Sequence, residues 1–245
     1  MDSFPFSEND LIRMKNAKKI SAITGAGISS ESGIPTFRGE GGLWKNYRAE
    51  DLATPEAFAK NPDLVWEWYD WRRGICAEAS PNPGHLTLAK WENLVPHFTL
   101  ITQNVDGLHS RAGSRNLYQI HGNIFTARCL GCGNLTDIDP KKQREDSCSI
   151  CHSKLRPHIL WFGETYESGL LESCFETTSS SDLILIIGTS ANVSVPASMA
   201  KEGIRNGALS IEINPERTSL SDLVDYSLQG KSGEILPKLL DEIYK

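Results

Sequence analysis

The chain has 245 residues, of which 39% are hydrophobic and 23% are charged. This composition is that of an ordinary globular protein and excludes collagen-like, low-complexity and largely disordered chains. The formal net charge of −6 argues against electrostatic capture of nucleic acid or of an anionic membrane, because both prefer a basic surface. We therefore expect no direct nucleic-acid binding.

The N-terminal part of the chain predicts a helix at 8–17 and then a buried strand at 19–24. Residues 1–10 are acidic and lack the basic start and apolar stretch of a secretion signal. The longest apolar run, 183–187, is far shorter than the roughly 20 residues that cross a bilayer. We expect a cytoplasmic protein that does not insert into membranes.

A glycine-rich turn, residues 25–30 (GAGISS), follows the first strand. Gly25 and Gly27 match the opening of a dinucleotide-binding fingerprint, with Ser30 in place of a third glycine. Small residues let the backbone approach a pyrophosphate, and the N–H groups of the following helix can bind it. The alternative is an ordinary strand-to-helix turn.

The segment 44–80 is rich in aromatic residues and is predicted to be a helical insertion. On a helix, Tyr69 and Arg72 stand three residues apart and share a face. A phenol and a guanidinium together form a receptor for a carboxylate, to which arginine offers two parallel N–H donors. The alternative is an amphipathic helix whose Arg72 pairs with Glu67 or another acid at the surface.

A second insertion, 125–158, contains two CxxC pairs with 15 residues between them. The cysteines are Cys129, Cys132, Cys148 and Cys151. Four thiolates complete the tetrahedral shell of one Zn²⁺ and leave no open position, so the ion is expected to be structural. Two redox or disulfide pairs are the alternative, and His152 could replace one cysteine.

Three further strands are predicted at 98–102, 183–187 and 209–213, separated by helical stretches. This alternation predicts βαβ units and a mainly parallel sheet. Gly188, Thr189 and Ser190 follow one of these strands, and Asn214 follows another. Ligands of open α/β sheets bind at the carboxyl ends of the strands, so these residues and the glycine-rich turn predict one nucleotide-binding crevice.

The sequence also carries a set of motifs in the order found in sirtuins: 25–29 (GAGIS), 33–38 (GIPTFR), 102–106 (TQNVD), 121–122 (HG), the two CxxC pairs, 161–164 (WFGE) and 188–190 (GTS). From about residue 18 onward, the chain therefore resembles the NAD-dependent protein deacylases. The resemblance implies an α/β fold with a Rossmann-like NAD-binding domain of residues 1–43, 81–124 and 159–245. The helical insertion 44–80 and the zinc module 125–158 would form a small domain.

The resemblance further implies that NAD⁺, as co-substrate, and an acyl-lysine protein or peptide meet in the cleft between these domains. His121 would be the general base, and Asn104, which also touches the cofactor, would be the second catalytic residue. The other implied cofactor-binding residues are Gly25, Ala26, Gly27, Ser29, Thr36, Phe37, Arg38, Trp44, Gln103, Val105, Asp106, Gly188, Thr189, Ser190, Asn214, Pro215 and Ser232. The implied substrate-binding residues are Ala53, Tyr69, Arg72, Phe162, Gly163 and Glu164.

The chemistry implied by the resemblance fits these residue types. Nicotinamide leaves the ribose, the acyl oxygen captures the ribose carbon, and a base then draws a proton from a ribose hydroxyl. A histidine with a pKa near neutrality suits that step. Phe37 would shield the reactive face, and Arg38 would organise its loop. Water would then release free lysine and O-acyl-ADP-ribose, in addition to the nicotinamide that left first.

The Tyr69–Arg72 pair and the preceding residues 51–55 (DLATP) resemble the sirtuin subgroup that removes succinyl, malonyl and glutaryl groups. A small residue such as Ala53 leaves room for the acyl group, whose buried charge requires partners. Acetyl-lysine needs no such anchor and is also expected to be accepted. Two alternatives are a mono-ADP-ribosyltransferase using the same cleft and a zinc-ribbon binding module on an inert nucleotide fold. The stretch from Gly188 to Pro196 is one residue longer than usual, which leaves the register of 191–195 open.

Overall fold

The computed structural model describes residues 4–35, 43–45 and 47–245. In chain order, the strands are β1 (Lys19–Thr24), β2 (Leu43–Trp44), β3 (Tyr47–Arg48), β4 (His97–Thr102), β5 (Leu117–Gln119), β6 (Gly122–Cys129), β7 (Leu135–Asp137), β8 (Leu155–Ile159), β9 (Leu183–Ile187), β10 (Leu209–Asn214) and β11 (Tyr226–Gln229). The helices are α1 (Glu8–Asn16), α2 (Ala26–Ser30), α3 (Ala49–Leu52), α4 (Pro55–Lys60), α5 (Pro62–Glu78), α6 (Pro83–Glu92), α7 (Leu108–Ala112), α8 (Ser168–Ser179), α9 (Ser194–Arg205) and α10 (Ser232–Ile243).

The large sheet has the order β11-β10-β9-β1-β4-β5, and all its neighbouring strands are parallel. The chain builds outward from β1 in one direction to β4 and β5, and later in the other direction to β9, β10 and β11. The order therefore reverses between β1 and β9, where open α/β sheets bind their ligands. The Rossmann-like parallel sheet is confirmed, and the four strands predicted from the sequence are found within one residue of their expected limits.

Both faces of the large sheet are buried. In β1, Ile20 and Ala22 point into a core that also contains side chains of α1, α6 and α10, such as Met14. Ile23, the residue after Ala22, points to the opposite face, into a second core with α8 and α9. Burial on both faces explains why a central strand such as β9 is continuously apolar rather than alternating.

The small domain combines two separate parts of the chain around one core. Antiparallel strands β7, β6 and β8 form its sheet, and Val65 and Trp66 of α5 pack with Ile124 and Leu155 of that sheet. The sheet begins at β6 and ends with β8, slightly outside the limits 125–158 expected for the zinc module. The aromatic insertion is helical over α3, α4 and α5, but it begins with the antiparallel β2–β3 hairpin, which the sequence did not predict.

Within the described residues, none of the helices combines the length and the apolar character needed to cross a bilayer.

Candidate active site and metal centre

The loops that follow β1 and β9 touch at the point where the sheet order reverses. A Cβ on Gly25 would lie 2.8 Å from the carbonyl oxygen of Gly188, and one on Gly27 would lie 2.7 Å from the Gly188 Cα. The Gly27 N–H donates to the Gly188 carbonyl at 2.8 Å, and Gly188 itself has a φ of 58°. These glycines, which the sequence predicts to admit a pyrophosphate, also lie in close contact with the neighbouring loop. They shape the crevice by letting two strand ends meet.

A buried polar network lines the crevice beyond β4. The amide of Asn104 donates to the Gly25 carbonyl at 2.9 Å and to the Ser29 hydroxyl at 3.0 Å. The Gln103 amide donates to the Thr189 hydroxyl at 3.0 Å. The ends of β1, β4 and β9 are therefore tied together by the side chains predicted to hold the cofactor.

Asp106 is buried on the same loop, and its carboxylate accepts the Leu108 N–H at 2.8 Å. Burial raises the pKa of Asp106, while the Leu108 N–H, the Ser29 hydroxyl and the positive charge of Arg72 oppose the rise. Asp106 thus lies within electrostatic reach of the helix α5 that carries Arg72.

His121 stands between β5 and β6, at the junction of the two domains. Its Nδ1 lies 3.0 Å from the Gln103 carbonyl oxygen, and its Nε2 lies 2.9 Å from the Tyr166 hydroxyl. A carbonyl can only accept a hydrogen bond, so Nδ1 carries the proton and Nε2 of the neutral ring carries the lone pair. Burial lowers the pKa of His121 below its ordinary value of 6.5, although the bond to Gln103 opposes this effect. The ring is therefore neutral near pH 7 and can act as a base through Nε2.

The remaining predicted cofactor residues are in varied surroundings. Ala26 begins α2, Val105 is half-buried against the small-domain core, and Trp44 packs there beside Trp71. Ser190 and Pro215 are exposed at strand ends, and the Asn214 amide donates to the Thr189 carbonyl at 3.4 Å. Thr36, Phe37 and Arg38 lie outside the described residues.

Ser232, predicted to lie near the adenine, is buried at the start of α10. Its hydroxyl donates at 2.5 Å to the carboxylate of Glu31, just beyond α2, which also accepts the Gly233 N–H at 3.1 Å. The Ser232 side chain is therefore committed to joining α10 to the end of α2.

The predicted substrate segment 162–164 is fastened at both ends. The Phe162 N–H donates to the Ala53 carbonyl at 3.0 Å, which connects this segment to the end of α3. Gly163 has a φ of 85°, and the Phe162 side chain is 48% exposed. The carboxylate of Glu164 accepts hydrogen bonds from Arg156 and, at 2.8 Å, from the Trp161 N–H. Burial alone would raise the pKa of Glu164, but these bonds and the Arg156 charge lower it, so the carboxylate stays ionised.

Tyr69 is deeply buried on α5, and its hydroxyl accepts the indole N–H of Trp161 at 2.9 Å. Burial raises the pKa of Tyr69 to about 12, although Arg72 opposes the rise. The phenol therefore keeps its proton and can donate it. The Arg72 guanidinium lies over the Trp68 ring, 5.0 Å from its centroid.

The four cysteines of the CxxC pairs meet at the tip of the small domain. Their sulfur atoms all lie within 4.8 Å of one another, and the pairs Cys129–Cys151 and Cys132–Cys148 are 3.3 and 3.7 Å apart. Tetrahedral zinc with ~2.3 Å bonds requires sulfur atoms about 3.8 Å apart, so this donor set suits one structural zinc ion. Main-chain N–H groups point at the sulfurs, including the Gly131 N–H at 3.3 Å from Cys129, and such bonds favour thiolates.

Three side chains in contact with predicted site residues were not themselves predicted. Tyr166 contacts the proposed base, Trp161 contacts Tyr69, and Arg156 holds Glu164 while stacking on the Trp161 ring at 3.4 Å. An arginine inside the short strand β8 is an anomaly that could have drawn attention to Arg156. Tyr166 offered no comparable signal, because its partner lies 45 residues away in the sequence.

A model of the Sir2 family matches residues 25–195 of the chain. A protein from Leptospira interrogans serogroup Icterohaemorrhagiae serovar Lai (strain 56601), named NAD-dependent protein deacylase, is 56% identical over 235 residues. That match covers 92% of this chain and 93% of the relative.

Two solved structures are similar over almost the whole chain. A structure described as a Sir2 homolog–NAD complex has a TM-score of 0.91 and 43% identity, and the match covers 98% of this chain and 94% of that one. A structure described as a Sir2–p53 peptide–NAD⁺ complex has a TM-score of 0.83 and 27% identity, with 96% and 97% covered.

Proposed function

The chain belongs to the Sir2 family, and we propose that it preferentially removes acidic acyl groups, succinyl and malonyl, from protein lysine side chains, while also accepting acetyl. It is an NAD-dependent protein deacylase that uses NAD⁺ as its co-substrate and has a site for one structural zinc ion. The proposal extends to a cytoplasmic location, which a reduced four-cysteine centre favours.

The proposed base is His121, and the observation that supports this role is the arrangement of its two ring nitrogens. The Gln103 carbonyl fixes the proton on Nδ1, so the lone pair of Nε2 is available to a hydroxyl group in the cleft. Bound NAD⁺ supplies the ribose carbon that the acyl oxygen attacks as nicotinamide leaves, together with the hydroxyl that later receives the acyl group. His121 takes the proton of that hydroxyl, and the Gln103 carbonyl stabilises the imidazolium through Nδ1.

Asn104 and Asp106 are proposed to orient the nicotinamide end of the cofactor. Both are buried on the loop after β4, and the Asn104 amide is held by Gly25 and Ser29. A polar group fixed in this way has little freedom to lose when a ligand binds. The loops after β1 and β9 would contact the rest of the cofactor at the reversal point of the sheet.

The proposed preference for acidic acyl groups rests on one observation, which is that the positive charge of Arg72 acts on the pKa of both Tyr69 and Asp106. Its charge opposes the rise in pKa of both groups, so the guanidinium lies within electrostatic reach of Tyr69 in the proposed acyl pocket and of Asp106 in the proposed nicotinamide site. The Trp161 indole occupies an acceptor position of the Tyr69 oxygen, which leaves the phenolic proton to be donated. A carboxylate reaching this point would find a neutral donor and a cation in surroundings of low polarity.

The peptide is proposed to pair with the backbone of Phe162, Gly163 and Glu164. This segment is joined to α3 through the Ala53 carbonyl and to β8 through Arg156. The same fastening places the small side chain of Ala53 beside the segment that would present the acyl-lysine. The acyl group would thus run from the peptide strand past Ala53 towards Tyr69 and Arg72.

The test compares succinyl-lysine and acetyl-lysine versions of one peptide by chromatographic measurement of nicotinamide and of the deacylated peptide. Arg72→Met should lower kcat/KM for the succinyl peptide about thirty- to four-thousandfold, since removing the charge partner of a carboxylate held away from water costs about 2–5 kcal/mol. Tyr69→Phe should lower it about ten- to hundredfold. Both variants should retain acetyl turnover within about threefold. Arg48→Met, which removes an exposed arginine of the same insertion, is the matched control and should change neither.

Equal losses on both peptides in Arg72→Met would contradict the carboxylate receptor while leaving the deacylase assignment intact. Nicotinamide release without deacylated peptide in the wild type would favour ADP-ribosyl transfer. Ligand binding with no nicotinamide release would favour a binding module. His121→Ala should abolish turnover of both peptides, and activity retained on either would contradict the assignment of the base.

A further inference from the structure

The acceptor nitrogen of the proposed base already accepts a hydrogen bond from another side chain. A neutral imidazole has one acceptor nitrogen, and in His121 this is Nε2, because Nδ1 donates to Gln103. The Tyr166 hydroxyl lies 2.9 Å from that nitrogen and therefore donates its proton to it. The ribose hydroxyl needs the same lone pair, and one lone pair cannot accept two well-aligned donors.

We propose that Tyr166 is a positioning residue whose hydroxyl holds the place of the ribose hydroxyl at Nε2 of His121 and is exchanged for it when NAD⁺ binds. This inference rests on the proposed role of His121 as the base. In the resting protein, Tyr166 satisfies a buried ring nitrogen and keeps its lone pair directed into the cleft. The exchange replaces one O–H donor by another and changes no covalent bond.

The location of Tyr166 makes such an exchange feasible. The residue is half-buried in the segment between β8 and α8, where its ring packs against the core beneath α8 and α9. The ring centroids of Tyr166 and His121 are 5.7 Å apart, and their planes are tilted by 41°, so the hydroxyl contact does not depend on stacking of the rings. On release, the whole side chain turns about its Cα–Cβ bond, because the phenolic oxygen is fixed to the ring, and the half-exposed position of Tyr166 leaves it a solvent-facing side towards which to turn.

Tyr166 also follows closely on the proposed substrate segment, two residues after Glu164. Glu164 is fixed by Arg156, whereas Tyr166 belongs to an irregular stretch that precedes α8. Pairing of a peptide with residues 162–164 would therefore act on the backbone immediately before Tyr166. The proposed exchange at Nε2 of His121 would therefore take place where NAD⁺ and the acyl-lysine peptide meet.

The experiment measures NAD⁺ binding by calorimetry at constant pH in the wild type, Tyr166→Phe, His121→Ala and the double variant. In the wild type, NAD⁺ binding must break the hydrogen bond between Tyr166 and His121, which makes the binding free energy less favourable by the net value of one hydrogen bond. Tyr166→Phe has no such bond to break and should bind NAD⁺ about two- to tenfold more tightly than the wild type. In the His121→Ala background, the same substitution should change the affinity less than twofold, because Tyr166 then has no partner to leave. Tyr118→Phe removes a hydroxyl from the same core and should leave the affinity unchanged.

A structural role alone would not produce a gain that depends on His121. Unchanged or weaker binding in Tyr166→Phe, or an equal gain without His121, would overturn the proposal. Failure of the wild type to bind NAD⁺ would instead contradict the proposed function. Steady-state assays give a second readout, in which KM for NAD⁺ falls about two- to tenfold while kcat stays within about twofold; a fall in kcat with KM unchanged would also overturn it.

A spectroscopic measurement that needs only His121→Ala, for assignment of the signals, covers the case in which Tyr166→Phe is poorly folded. In protein labelled with ¹⁵N-histidine, the signals lost in His121→Ala should be those of a ring with protonated Nδ1 and unprotonated, hydrogen-bonded Nε2. Addition of NAD⁺ should preserve this tautomer while shifting Nε2. A ring protonated at Nε2 would overturn the proposal.

Discussion

The contact between the loops after β1 and β9 can be tested by adding a single methyl group. In Gly27→Ala, the new Cβ would lie 2.7 Å from the Gly188 Cα and 2.8 Å from the Gly188 carbonyl oxygen. Both atoms belong to backbone and cannot rotate away, so the loop after β9 must shift. Overpacking of this kind costs about 1–3 kcal/mol. In a chain of this size, 1 kcal/mol corresponds to about 2–4 °C, so Tm should fall by about 2–12 °C.

The matched control is Gly74→Ala, within α5. No atom lies within 4 Å of a Cβ built there, and alanine is the better helix former by about 0.5–1 kcal/mol. This variant should therefore be as stable as the wild type or melt about 1–4 °C higher. Since both changes add one methyl to a helical glycine, the difference between them isolates the loop contact.

Thermal unfolding followed by circular dichroism measures the change in Tm, and calorimetric titration with NAD⁺ measures the change in NAD⁺ affinity. A shift of Gly188 moves Thr189, whose hydroxyl accepts the Gln103 amide, so NAD⁺ affinity should fall about tenfold or more in Gly27→Ala. Equal melting temperatures and equal NAD⁺ affinities in the two alanine variants would refute the reasoning.

Two further outcomes follow from the site. Because His121 must be neutral to act and burial lowers its pKa, kcat/KM should rise with pH through a midpoint below 6.5 and level off above it; a midpoint above 6.5 would contradict the burial argument. Removal of metal with a strong chelator should unfold the small domain, which circular dichroism would detect, and should abolish activity because Cys129 and Cys148 belong to the same core as the buried side chains of α5. A folded, fully active metal-free protein would contradict the structural role of zinc.

Local signals in the sequence were sufficient for much of the fold. The four central strands of the large sheet, β10, β9, β1 and β4, are buried on both faces, so apolar runs such as 183–187 marked them within one residue. The edge strands β5 and β11 are only partly buried and were not predicted. The CxxC spacing marked the metal centre, because two turns of fixed geometry are enough to bring four thiolates together. The hairpin 43–48 escaped prediction, since each of its strands has only two residues and carries no periodic signal.

The contacts that distinguish the site are set by tertiary structure and were not readable from the sequence. Tyr69 and Trp161 are 92 residues apart, and Ser232 and Glu31 are 201 residues apart. The same reason explains why the role of Gly25 and Gly27 was not predicted. The glycines were evident in the sequence, but the loop at Gly188 that requires them lies more than 150 residues further along the chain.

The bond between the His121 carbonyl and the Leu160 N–H, at 3.0 Å, joins the chain where it leaves for the zinc-bearing sheet and where it returns. Gly122 and Ile159 are paired on the next rung, and a Cβ on Gly122 would lie 2.0 Å from the His158 carbonyl oxygen. The two ends of the segment 122–159, which contains the zinc-bearing sheet, are thus held together by backbone contacts. His121 and the start of the segment 162–164, which would present the peptide, both lie within two residues of these contacts. The distance between His121 and the segment 162–164 is consequently independent of the length or sequence of the two CxxC turns. Those turns can diverge without moving the reacting groups apart.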